Sequence, residues 1–200
     1  MNSIQHPVLE NPSTPLAKIN KSVRILLMKR PVVYAFIDAQ NLHLGTSKDI
    51  IRNRKLIYRG WKLDLKKFRR YLADKFRIRK AFLFIGKVRG NEKMYQAFRS
   101  YGYELVFKPT TKDNFGKAKG NIDAELVLYA AAIEFPNYDK AVIVSGDGDF
   151  YCLYEFLERK NKLGRIIIPN RKSESSLLKK FQQYKIFLED KREELKLNKK

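Results

Sequence analysis

"AVIVSGDGDF", residues 141–150, decides how the rest of the chain is read. Four apolar residues, Ala141–Val144, run into Ser145, and Asp147 and Asp149 then alternate with Gly146 and Gly148. A short, nearly unbroken apolar run ending at glycine reads as a strand buried on both faces. Two carboxylates at the end of such a strand repel each other and lose hydration, so the pair needs a positive partner.

Working outward, the same type of run recurs as "VVYAFID" (32–38), "KAFLFIG" (80–86), "YELVFK" (103–108) and "RIIIP" (165–169). Helical patterns lie between them at 64–76, 91–101, 122–134, 149–162 and 174–182, followed by a short apolar "IFL" (186–188). Strands alternating with helices give a parallel sheet with right-handed crossovers. Continuous rather than alternating hydrophobicity means that helices cover both sheet faces. The expected fold is therefore α/β, a doubly wound parallel sheet. Residues 45–62, a basic segment ending in Gly60-Trp61, interrupt the pattern. Tyr58 and Trp61 are expected to pack rather than to stack on a base. Residues 1–30, with Pro7, Pro12 and Pro15, read as a flexible basic leader containing one short helix near 16–28. The core domain is expected over 31–189, and 190–200 as a charged, frayed tail.

The bulk numbers narrow the partner. Among 200 residues, 42 Lys+Arg against 21 Asp+Glu give a net charge of +21, spread along the chain rather than held in one tail. A field of that sign favours polyanions, nucleic acid first. Cys152 is the single cysteine, which excludes an intrachain disulfide and a cysteine-built zinc site. No apolar run approaches the ~20 residues of a membrane helix. "VRILLM" (23–28) is too short and too far inside the chain for a signal peptide. A cytoplasmic protein with no membrane partner is expected.

In an open parallel sheet, ligands bind beyond the carboxyl ends of the strands, where the strand order reverses. Asp38 ends the first strand, and Asp147 and Asp149 follow the fourth. Asp123 opens the helix that precedes the fourth strand, which brings it to the same edge, and Asn41 opens the first helix there. With a strand order of 3-2-1-4-5, strands one and four are neighbours and the acids converge. Oxygen ligands without Cys or His favour Mg²⁺ or Mn²⁺. Each acid also has a plain structural use: Asp38 as a helix N-cap, Asp123 as a first-turn acid favoured by the helix dipole, and Asp147 with Asp149 as part of a turn. An EF-hand fails, because counting twelve positions from Asp147 places Cys152 where the obligatory glycine belongs.

"FIDAQN" (36–41), "KGNIDAELVLYA" (119–130) and "IVSGDGDF" (143–150) together resemble the NYN-domain nucleases, a branch of the PIN-like superfamily. "NEKMYQAFRSYGYELVFKP" (91–109) is similar to small bacterial members of that group. The resemblance spans roughly Val32 to Leu188. It implies a 3-2-1-4-5 sheet and metal-dependent hydrolysis of phosphodiester bonds, usually in RNA. Carried over residue by residue, it implies Asp38, Asp123, Asp147 and Asp149 as metal-binding acids, with Asn41 as their polar partner. The basic 45–62 segment and the leader depart from the pattern.

Around that edge, Lys87 and Arg89 follow strand two, Lys117 and Lys119 precede Asp123, and Arg171 and Lys172 follow strand five. Each alone reads as a solvated charge; beside an acidic centre they read as a nucleic-acid track. The hydroxyl of Ser145 is placed to support a ligating carboxylate, and an ordinary strand-end serine is the equal alternative. The expected function is a divalent-metal-dependent nuclease with RNA ahead of DNA as substrate. Two alternatives compete: a nucleic-acid-binding module whose site does not turn over, and a haloacid-dehalogenase-like phosphatase. The latter wants a second acid two residues after Asp38, where Gln40 stands.

Overall fold

The structure, a computed structural model, describes residues 30–108, 111–112, 118–119 and 122–198. The expected leader helix and Lys117 lie outside the described residues, as does the side chain of Lys119. The described fold falls within the unit Pro31–Lys200.

Six strands form the central sheet: β1 (Val33–Asp38), β4 (Ile78–Gly86), β5 (Glu104–Lys108), β8 (Lys140–Val144), β9 (Leu163–Ile168) and β10 (Lys185–Phe187). They lie in the order β10-β9-β8-β1-β4-β5, and every pairing is parallel. Counted in chain order within this sheet, that is 3-2-1-4-5 followed by a sixth strand. The sixth, β10, is the apolar "IFL" region; three residues are too few to announce a strand, and pairing with β9 forms it.

The continuous apolar runs follow from two-sided burial. Along β1, Tyr34 and Phe36 enter one core cluster while Val33, Ala35 and Ile37 enter the other. Helices α4 (Ile122–Leu128) and α5 (Tyr151–Arg159) close the first face with Leu126, Leu153 and Leu157. Helices α1 (Ala39–Ser47) and α2 (Leu65–Phe76) close the second with Leu42, Phe68 and Leu72. The chain leaves β1 towards β4 and leaves β8 towards β9, in opposite directions along the sheet. With one crossover hand, the two following helices must fall on opposite faces. The switch point is thus between β1 and β8.

Elsewhere the elements refine the expectations. Residues 122–134 are α-helical only to Leu128 and continue as a π-helical turn, Tyr129–Ile133, closed by the Glu134 N–H on the Tyr129 carbonyl at 2.9 Å. The Tyr138 hydroxyl donates to the Ala130 carbonyl at 2.5 Å, a side-chain partner that periodicity does not reveal. The segment expected as a helix at 174–182 is a run of 3₁₀ turns, Ser176–Tyr184, broken at Phe181. Helix α3 (Glu92–Ser100) joins β4 to β5, and a small ribbon, β6 (Thr111–Lys112) with β7 (Ala118–Lys119), precedes α4.

Two segments are more ordered than their composition suggests. Residues 45–62 contain an antiparallel hairpin, β2 (Ile50–Arg52) and β3 (Lys55–Tyr58). Tyr58 and Trp61 are buried in the second core cluster, as expected for packing residues. The end of the chain is not frayed over its described length: α6 (Arg192–Leu195) buries Leu195, and Leu63 bridges to Lys196. Lys67 Nζ also donates to the Lys196 carbonyl at 3.0 Å. One buried leucine in a run of charges gives no periodic signal, yet it anchors the segment to α2.

Candidate active site

A pocket of about 590 Å³ opens at the carboxyl edge of the sheet, at the β1/β8 switch point. Asp38, Asn41, Lys108, Asp123, Asp147 and Asn170 are among its walls. Separate segments therefore bring three of the four sequence-identified acids, and Asn41, to one cavity.

Asp38 is the last residue of β1 and the N-cap of α1, where its Oδ1 accepts the N–H groups of Gln40 and Asn41, each at 3.0 Å. The capping residue is thus also a pocket residue. The side chain is 4% exposed. Burial, reinforced by the charges of Asp123 and Asp147, pushes its carboxyl up to about 6, against the lowering effect of the two cap bonds. Asp123 sits in the first turn of α4 and is likewise raised, first by burial and then by Asp147 and Asp149. Lys108 opposes that shift. Two acids raised in part by their neighbours' charge form one electrostatic unit.

Asp147 caps the turn Gly148–Phe150 by accepting the Asp149 N–H at 3.1 Å. Asn41 and Ser145 hold the loop that carries it. Asn41 Oδ1 accepts the Gly146 N–H at 2.9 Å, and the buried Ser145 Oγ accepts the Asp147 N–H at 3.1 Å. The glycine at 148 has a steric reason, since a Cβ there would lie 2.4 Å from Ser175 Oγ and 3.1 Å from both Ser175 Cβ and a Leu177 methyl. Asp149 is exposed and is not among the pocket residues, though its charge reaches Asp123. Among the described residues, no three acid, His or Cys side chains already stand as a coordination shell.

Two pocket residues escape a reading of the sequence. Lys108 ends β5 at the same edge as Asp38 ends β1, and only 7% of it is exposed. Burial lowers its pKa, while Asp123, Asp38 and Glu125 pull it back up. A polar residue at the carboxyl end of an apolar strand is the signal that marked Asp38, and it applies equally to Lys108. Asn170, fully buried after β9, donates from Nδ2 to the Gly45 carbonyl and accepts the Ser173 N–H at 2.9 Å. It ties α1 to the β9 loop across the pocket.

The basic residues separate. Lys87 and Arg89 follow β4 and Lys172 follows β9, all exposed. Arg171 is already committed: it forms a two-pronged pair with Asp190 at 2.7 Å, reaches Glu189 at 2.8 Å, and lies over the Phe187 ring. Its guanidinium fastens the C-terminal segment to the β9 loop.

No helix among the described residues is long and apolar enough to cross a membrane. A solved structure of a protein of unknown function from Vibrio parahaemolyticus is similar in fold, with a TM-score of 0.64 and 23% identity over 85% of this chain and 98% of that one. No curated protein matches. The family model described as "NYN domain" matches residues 32–189, which takes in β1, the four candidate acids Asp38, Asp123, Asp147 and Asp149, and the β9 loop. With the parallel sheet, its switch point and the acids at that edge, this match shows that the chain belongs to the NYN domain family, within the PIN-like nuclease superfamily.

Proposed function

We propose that this protein is a divalent-cation-dependent nuclease that hydrolyses phosphodiester bonds, with RNA ahead of DNA as substrate and Mg²⁺ or Mn²⁺ as the ion. The observation that carries the reading is the delivery of Asp38, Asp123 and Asp147 by three separate segments into one pocket at the switch point. The donors suit the ion. They are carboxylate oxygens with neither sulfur nor imidazole, the set preferred by hard cations. A carboxyl held near 6 by burial and by neighbouring acids is short of positive charge.

Asp38, Asp123 and Asp147 would hold the ion, with Asp149 at the mouth. Bound there, a divalent cation would lower the pKa of a water molecule and offset charge developing on a phosphate. The remaining work falls to the chain. Asn41 and Ser145 fix the loop that aims Asp147, so the acid does not have to be ordered when substrate arrives. Lys108 places a cation beside Asp38 and Asp123, where its ammonium would donate to a phosphate oxygen and orient the backbone. Lys87, Arg89 and Lys172 supply attraction further out, of a kind that salt screens.

Labelled RNA and DNA incubated with Mg²⁺, with Mn²⁺ or with EDTA test the proposal. Cleavage of RNA with either ion and none in EDTA is expected. Cleavage that persists in EDTA would remove the ion from the account, and binding without cleavage under every ion would make the chain a nucleic-acid-binding module.

A further inference from the structure

The basic segment at residues 45–62 forms one wall of the acid pocket. Ile50 and Ile51 of β2 line that cavity together with Asp38, Asp123 and Asp147. The β2–β3 hairpin turns through Asn53 and Arg54, both left-handed (φ 48° and 61°), as tight two-residue hairpins require. Its two faces differ. On one, Ile50 pairs with Tyr58, which is buried and donates its hydroxyl to the Thr46 carbonyl at 3.1 Å. On the other, Ile51 pairs with Leu56, and they are 65% and 38% exposed.

The base of the hairpin is pinned. The Gly60 N–H donates to Asp49 at 2.7 Å, the Trp61 N–H to the Thr46 carbonyl at 2.8 Å, and Arg192 to the Arg59 carbonyl at 3.1 Å. Asp49 is the sole acid between residues 48 and 59, whereas Lys48, Arg52, Arg54, Lys55 and Arg59 are all cationic. None of those five forms an ion pair among the described residues. Arg52 reaches across to the Lys172 carbonyl at 3.3 Å, linking the hairpin to the loop after β9.

We propose that this hairpin grips single-stranded nucleic acid at the pocket mouth, the Ile51–Leu56 pair covering an unpaired base while Arg52, Arg54 and Lys55 hold the flanking phosphates. The inference rests on the nuclease reading and names its substrate class. Phosphate contacts alone would be served by cations, and the apolar pair would then be a liability. On a duplex, stacked bases are withdrawn, and the deep, narrow major groove of RNA admits no such side chain. Ile51 and Leu56 would then face a charged backbone. An unpaired base can swing out and bury them, as aromatic or apolar side chains commonly do with splayed nucleotides. The density of cation around the pair favours this occupant over a protein partner.

The test uses the full chain with a short unstructured RNA and the same RNA annealed to its complement. Binding is read by fluorescence anisotropy in EDTA, and cleavage in Mn²⁺. Wild type should prefer the single strand by about tenfold. The exposed-residue variant I51S/L56S should lose that preference by weakening single-strand binding alone, with unchanged circular dichroism. R52Q/R54Q/K55Q should weaken both substrates and reduce the salt slope of single-strand binding by about two. A preference that survives I51S/L56S, or equal wild-type affinity for duplex, would overturn the proposal. So would a self-associated wild type that I51S/L56S converts to monomer with RNA binding intact, which would make the patch a protein interface. Failure of the nuclease reading looks different: no cleavage of any substrate by wild type, whatever the hairpin variants do.

Discussion

At Asp38 the cost of building the pocket can be measured. The folded protein holds this carboxyl near 6, above its ordinary 3.8, so between those values the native state binds more protons than the unfolded chain. Stability in EDTA should therefore fall as pH rises through that window and level off above it. Asp38→Asn removes the ionisation and keeps a side chain that can cap α1. At pH 7 it should be more stable than wild type by up to about 3 kcal/mol, the free energy of roughly two pKa units. Near pH 4 the gain should vanish. Denaturant titrations across pH check this, and a variant less stable than wild type at pH 7 would contradict it. Lys108 makes a different prediction. Lys108→Met removes the cation that opposes the raised pKa of Asp123, leaving the pocket more negative. Mn²⁺ should bind more tightly while RNA is cleaved more slowly, a split that Mn²⁺ titration and single-turnover cleavage resolve. Weaker Mn²⁺ binding together with unchanged cleavage would place Lys108 outside the site.

The hairpin stands or falls with its base. At Gly60 an added Cβ would lie 2.1 Å from the Ser47 carbonyl oxygen, a backbone atom that cannot rotate away. Gly60→Ala should cost about 1–3 kcal/mol by overpacking. The loss is measurable by urea unfolding, and a neutral result would show that the base is looser than its hydrogen bonds indicate. Such elements explain what a reader of the sequence can and cannot see. Five strands were legible because burial on both faces writes an unbroken apolar run. β10 has three residues and exists by pairing with β9. The hairpin hides because Arg52, Asn53, Arg54 and Lys55 split its apolar residues into two runs too short to read as strands. Asp38 and Asp147 were legible because a charge at the end of an apolar strand is costly without a partner, and Asp123 because it opens the helix that precedes β8 and so starts at the same edge. Lys108 obeys the same logic, yet a lysine after a strand reads as solvated until its burial is known. Asn170 gave no signal, because its value lies in reaching the Gly45 carbonyl, which is distant in sequence.

Over the whole chain the net charge is +21, while carboxylates gather in one pocket. Long-range attraction to a polyanion and short-range selection at the pocket are then separate properties. RNA affinity should fall by orders of magnitude between about 50 and 200 mM salt, as counterion release requires for several phosphate contacts. Affinity that ignores salt in a filter-binding series would deny the basic surface its role. The measurement that addresses the central claim most directly is cleavage and equilibrium binding of one labelled RNA by wild type and Asp147→Asn, side by side in Mn²⁺. The substitution keeps the shape of the side chain and removes one negative charge from the pocket. Cleavage should fall by at least about a hundredfold with the loss of a hard anionic ligand, while binding persists or tightens because the surrounding lysines and arginines are untouched. Cleavage by the variant at the wild-type rate would contradict the assignment of this pocket as the nuclease centre.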